Sequence, residues 1–175
     1  NTVRWCTALR AVALLLVLCV LAAGGVLIYA AVNMTLDAAA LPVQVIPAAE
    51  RPDEFARWQT ALIRQAVQGT AFQSSMPGSV EDYAFYVYTV SVSNKGLLGA
   101  RMAELQVVPK EGDVLSYSPA ASLSQNVNLP VDIPAGTTRN LQCILLTRQG
   151  SNAVRELYLT YYIWGRPYTI RLTYG

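Results

Sequence analysis

The sequence predicts a mainly β fold in which an apolar helix of membrane length and a short amphipathic helix precede an antiparallel β-sandwich of about seven strands. Three observations carry this. Residues 11–32, AVALLLVLCVLAAGGVLIYAAV, contain no formally charged side chain. Residues 52–68 repeat apolar side chains every three or four positions, the period of an α-helix. Across residues 79–175 the period falls to two, and Gly, Pro and Asn turn signals recur at short intervals.

As a helix, 11–32 would be about 33 Å long at 1.5 Å per residue, close to the roughly 30 Å hydrocarbon core of a bilayer. Charge gives it a direction. Arg4 and Arg10 precede it, whereas the first basic residue beyond it is Arg51, and basic flanks favour the cytoplasmic side. Residues 1–10 are therefore expected to be a cytoplasmic tail, 11–32 a transmembrane signal-anchor, and the remainder extracytoplasmic. The alternative is a cleaved signal peptide with small residues at 22–25 or 30–31, although the apolar run is longer than the core of such peptides. Lipoprotein processing at Cys19 is disfavoured because Leu18, not a small residue, precedes it. Gly24 and Gly25 would let a second helix approach, but Ile28 and Tyr29 stand where a packing motif repeats its small residue. Tyr29 suits the outer interface.

Pro42, Pro47 and Pro52 prevent one continuous helix over 33–51, which predicts a linker or an extended strand. Asn33-Met34-Thr35 matches a glycosylation sequon, but so near the lipid surface that a chance match is the expectation. The helix predicted at 52–69 has Pro52 in its first turn, Asp53 and Glu54 at the positive end of its dipole, and Gly69 as its C-terminal cap. Phe55, Trp58, Leu62 and Ala66 form its apolar stripe, which should dock on the core rather than on lipid.

Strands follow at 83–93 and 100–108, the latter with Ala103, Leu105 and Val107 on one face and Met102, Glu104 and Gln106 on the other. Shorter strands are expected at 114–117 and within 123–133, then longer ones at 137–148, 154–164 and 168–174. Asn94-Lys95-Gly96, Pro134-Ala135-Gly136, 148–152 and Gly165-Arg166-Pro167 supply turns. The runs VSVSNKGLLGARMAELQVVP and VDIPAGTTRNLQCILLT, with the tyrosine-rich closing hairpin, resemble the immunoglobulin-like and fibronectin-like domains of bacterial membrane-anchored envelope proteins, the CARDB-like group among them. The resemblance spans roughly 79–175 and rests on the Asn-x-Gly and Pro-x-Gly turns. It implies a structural or interaction module with no catalytic residue to carry over, and it does not account for the helix at 52–69.

Composition narrows the chemistry. Removing Arg4 and Arg10 from the 13 basic residues leaves 11, equal to the 11 acidic ones, so net charge predicts no footprint for nucleic acid or anionic lipid. There is no histidine, which excludes Ser-His-Asp and Cys-His catalysis and every His-containing metal site. Beyond the apolar run only Cys143 remains, too few for a disulfide or a thiolate zinc site, and its alternation with Leu141 and Leu145 predicts a buried thiol. Lys95 and Lys110 lie beside turn glycines, where nothing desolvates them into a Ser-Lys dyad. The carboxylates at Glu81-Asp82 and at Glu111-Gly112-Asp113 are expected to be solvated rather than to hold calcium. Paired carboxylates distant in sequence remain open as a hydrolytic alternative. No cofactor or metal is expected.

Aromatic content is the unusual feature. Tyr86 and Tyr88 share one face of their strand while Phe85 and Val87 share the other, so both faces need cover. The helix stripe is expected to cover one of them, leaving an exposed patch as the alternative. The candidate binding surface comprises Tyr158, Tyr162, Trp164 and Tyr168 of the final hairpin with Tyr86 and Tyr88. The expected function is a non-enzymatic, membrane-anchored, extracytoplasmic interaction or structural module, an accessory subunit with a protein partner in the envelope. The alternative is a carbohydrate-binding sandwich with at least two coplanar exposed rings in the hairpin. A pilin-like subunit fits less well, since the prolines break the long helix it needs.

Overall fold

The computed structural model describes residues 2–118 and 130–174; residues 119–129, which hold part of the strand predicted within 123–133, lie outside it. Helix α1 runs without a break over Thr2–Val32. It is long and apolar enough to cross a membrane, and none of its most apolar window is buried against the rest of the chain. Residues 2–10 continue the same helix. A helix apolar on every side has no soluble solution other than burial.

The sandwich has two antiparallel sheets. β1 (Asp37–Ala40) and β2 (Gln44–Pro47) lie end to end along the same edge of β4 (Tyr83–Ser93). β4 then pairs with β8 (Thr138–Arg148), β8 with β6 (Leu115–Tyr117), and β6 with β3 (Thr70–Ala71). In the second sheet the order is β10 (Arg166–Tyr174), β9 (Arg155–Ile163), β5 (Ala100–Val108), β7 (Val131–Ile133). Among the described residues seven strands follow residue 79, as the pattern predicts, and three short ones precede it. The central pairings, edge–β4–β8 facing β10–β9–β5, reproduce the A-B-E and G-F-C arrangement of immunoglobulin-type sandwiches.

Both apolar faces of β4 are covered. Ala84, Tyr86, Tyr88, Val90 and Val92 meet the second sheet in a core shared with Leu105, Leu157 and Leu159. Tyr83, Phe85 and Val87 meet Phe55, Trp58 and Leu62 of helix α2 (Pro52–Ile63). Three of the four predicted stripe residues therefore cover this face, each contributing about 1.5–3 kcal/mol through burial, while Ala66 lies exposed beyond the helix end. Trp58 is fully buried, its ring 4.3 Å from that of Tyr117.

Helix α2 ends one turn before the predicted cap. Gln65 takes the left-handed conformation (φ 54°), and the Gln65 and Ala66 amides donate to the Leu62 and Ala61 carbonyls, a Schellman closure. Gly69 serves a different purpose: a Cβ there would lie 2.4 Å from the Ser116 carbonyl oxygen.

Residues 33–36 join α1 to β1, so one end of the sandwich abuts the helix. The Asn33 amide still donates to the Tyr29 carbonyl (3.1 Å), and the Tyr29 hydroxyl donates to the Lys95 carbonyl (3.3 Å). Leu36 is buried, and its amide donates to the Tyr161 hydroxyl at 3.1 Å. A Cβ on Gly96 would come within 2.5 Å of the Asn33 carbonyl oxygen, so only glycine lets this loop approach the helix end.

Candidate interaction surface

Strand directions decide which loops share an end. Register places Asp37 opposite Ser93, Ser93 opposite Thr138, Ala100 opposite Ile133 and Arg101 opposite Tyr162. The α1 end therefore gathers the β4–β5 loop (94–99), the β7–β8 loop (134–137) and the β9–β10 hairpin tip (164–165). Buried Asn94 ties the first two together. Its side-chain amide donates to the carbonyls of Leu98 (2.8 Å) and Ile133 (3.0 Å), and its side-chain oxygen accepts from the Gly96 amide (3.0 Å). Its backbone amide donates to Thr137 and its carbonyl accepts from Gly136. The two turns read separately in the sequence are thus one joint.

The six candidate aromatics divide. Tyr86 and Tyr88 belong to the core, not to a surface, because the second sheet covers their face. Their hydroxyls donate to the carbonyls of Ser151 (2.5 Å) and Ala153 (2.8 Å), and burial raises both phenol pKa values. Tyr168 faces inward as well: its half-buried ring stacks on Tyr161 at 5.5 Å and 13°, and its hydroxyl lies 3.1 Å from the Met34 sulfur. Tyr158 is half-buried on the outer face of the second sheet, opposite Gln106 and Arg171. Tyr162, further along that face, is 42% exposed, and Trp164 is 82% exposed.

Trp164 stands out for its backbone. Arg166 pairs with Ile163, leaving a two-residue loop in which Trp164 (φ 53°) and Gly165 (φ 73°) are both left-handed, the type I′ pattern. Asn, Asp or Gly is the usual first residue of such a turn, and a bulky side chain there is strained. A second left-handed residue, Met102 (φ 54°), sits in the β5 bulge and is 54% exposed. Leu97 in the neighbouring loop is 51% exposed.

Exposed cations accompany them. Lys95 pairs with Asp37 at 2.9 Å, and this hydrogen bond raises the ammonium pKa. Arg101 and Arg166 are exposed and enter none of the ion pairs among the described residues. Sequence reasoning missed Leu97, Met102, Arg101 and Arg166 as a group, since only the alternating directions of the strands bring them to one end.

The opposite end holds the buried charge. Asp113, expected to be solvated in its turn, instead sits in a closed network with Arg155, Thr147 and the Lys110 amide. No three of His, Cys, Asp and Glu gather as a metal site among the described residues. Cys143 is buried, and burial pushes its thiol up to about 12, so it is unsuited to act as a nucleophile.

No family model and no curated protein matches the chain. Solved structures similar to it include the crystal structure of a FixG-related protein from Vibrio parahaemolyticus, with 14% identity and a TM-score of 0.31 over 51% of this chain and 76% of that one.

Proposed function

We propose that this chain is a non-enzymatic interaction module held at the outer face of a membrane by α1, with its N-terminus cytoplasmic and its sandwich presented to a protein partner in the envelope. The observation that carries this is the junction: a membrane-length helix whose apolar window is not buried against the rest of the chain passes through residues 33–36 directly into the edge strand of the sandwich. The absence of histidine from the whole sequence supports a non-catalytic role, as does the engagement of the buried Asp113–Arg155 pair by internal partners. The membrane-anchored, CARDB-like resemblance is compatible with this and adds no residue to it.

Carbohydrate binding is the weaker reading. It keeps two exposed rings, Tyr162 and Trp164, while Tyr86, Tyr88 and Tyr168 are occupied internally. Photocrosslinkers placed at exposed positions of the sandwich in intact cells test the main proposal: recurrent capture of one envelope protein supports it. Capture of nothing but the chain itself points to self-assembly, and loss of glycan retention in Trp164→Ala would favour the second reading.

A further inference from the structure

We infer that the α1 end of the sandwich seats on the bilayer surface, with Trp164 and Leu97 in the interfacial layer and Arg101 and Arg166 against lipid phosphates. This rests on the membrane-anchored reading above. Three independent observations lead to it.

The first is reach. Four residues, 33–36, separate α1 from β1, and part of that short connection is already committed. Leu36 is buried against Tyr161, Met34 meets Tyr168, and Gly96 abuts Asn33. A sandwich joined so closely to a transmembrane helix cannot stand away from the headgroups, so the loops at its α1 end lie at the interface.

The second is what those loops expose. Apart from α1, the large apolar side chains that are exposed among the described residues are Leu41, Val45, Ile63, Leu97, Met102, Tyr162 and Trp164. The last four lie at or next to the α1 end. Tryptophan with flanking tyrosine is the pair that membrane interfaces favour, having an apolar body and a polar edge. Trp164 also occupies its turn against local preference, since Asn-Gly would form the same hairpin without strain. A bulky aromatic in that position is what a contact outside the fold would explain.

The third is local charge. The soluble part is neutral overall, but Arg101 and Arg166 flank the exposed rings and enter no ion pair among the described residues. Of the nearby carboxylates, Asp37 pairs with Lys95, Asp132 accepts from the Met102 amide at 3.1 Å, and Glu104 lies further from the α1 end along β5, opposite Thr160. Guanidinium groups at headgroup level meet phosphate oxygens at two points.

The full chain, reconstituted into phosphatidylcholine/phosphatidylglycerol vesicles brominated near the head of the acyl chains, tests this by tryptophan quenching. The Trp5→Phe background leaves Trp58, buried on the core-facing side of α2 as an unquenched internal reference, and Trp164. Trp164 emission should fall about twofold relative to unbrominated vesicles, as for a ring at headgroup depth. That loss should disappear in Trp5→Phe/Trp164→Phe. A Leu21→Trp probe in the Trp5→Phe/Trp164→Phe background, read in vesicles brominated near the ends of the acyl chains, reports on α1 separately. Quenching at position 21 with none at Trp164 would overturn the seating and leave the anchor standing. No quenching at either position would overturn the anchor and the seating with it.

Discussion

Arg155 and Asp113 form a two-point ion pair inside the sandwich: Nη2 lies 2.7 Å from Oδ1 and Nε 2.8 Å from Oδ2, with both side chains almost wholly buried. Asp113 also accepts from the Thr147 hydroxyl and the Lys110 amide, each at 2.7 Å, while Arg155 Nη1 donates to the carbonyls of Asn152 and Val154. The network fastens the β5–β6 and β8–β9 loops at the end remote from α1. Arg155→Met leaves a buried carboxylate without its counter-ion and should cost about 3–5 kcal/mol in urea unfolding of the full chain in detergent. Adding Asp113→Leu should recover part of that loss but not all, since the Lys110 amide and Thr147 hydroxyl then lack an acceptor.

Trp164→Asn should stabilise the sandwich in detergent by about 1 kcal/mol, because Asn-Gly is the preferred type I′ pair and tryptophan is not. A denaturant midpoint that stays put or falls would mean that the Trp164 ring packs on the hairpin enough to offset its backbone strain.

Alkaline pH should unfold the domain. Burial raises the phenol pKa of Tyr83, Tyr86, Tyr88, Tyr117, Tyr161 and Tyr174 above the ordinary 10, to about 12 for Tyr117. The folded state therefore holds more protons than the unfolded chain once pH passes 10. Stability from these groups is complete below that point and declines as pH rises towards the folded-state values. Phenolate absorbance followed alongside circular dichroism should show these rings ionising together with loss of the fold rather than before it.

Cysteine labelling separates the two ends of the chain. A membrane-impermeant maleimide should reach Cys6 only after permeabilisation if the N-terminus is cytoplasmic, whereas Cys143 should stay unmodified until the sandwich is unfolded. Labelling of Cys6 on intact cells would reverse the orientation.

Gly96→Ala should loosen the helix–sandwich joint, at about 1–3 kcal/mol, since its methyl must displace the Asn33 carbonyl. Asn33→Ala should not rescue it, because the obstructing atom belongs to the backbone. Faster proteolysis at residues 33–36 would report the change.

Much of this architecture was legible because it is periodic. The stripe of Phe55, Trp58 and Leu62 and the two-faced strand around Phe85 and Val87 each state what they need, and the structure puts them together. Where pattern was absent, the reading failed. Within 33–51, which the prolines mark only as a linker or an extended strand, β1 is Asp-Ala-Ala-Ala, with no strand preference of its own, and pairs where β4 offers it an edge. Tyr86 and Tyr88 were rightly assigned a common face, but alternation does not say whether that face meets water or a second sheet. Asp113 looked solvated because its partner Arg155 is distant in sequence. The cations of the α1 end were hidden by a neutral total, since charge balance over a chain says nothing about charge on one end of a fold.

The way β1 leaves α1 also sets how the molecule bears load. The helix enters β1 at Asp37 and the strand runs away from it, antiparallel to β4. A tug between α1 and anything gripping the remote end is directed along these strands. It strains the β1–β4 hydrogen bonds in shear, all at once, rather than peeling them open in turn, which is the more resistant geometry.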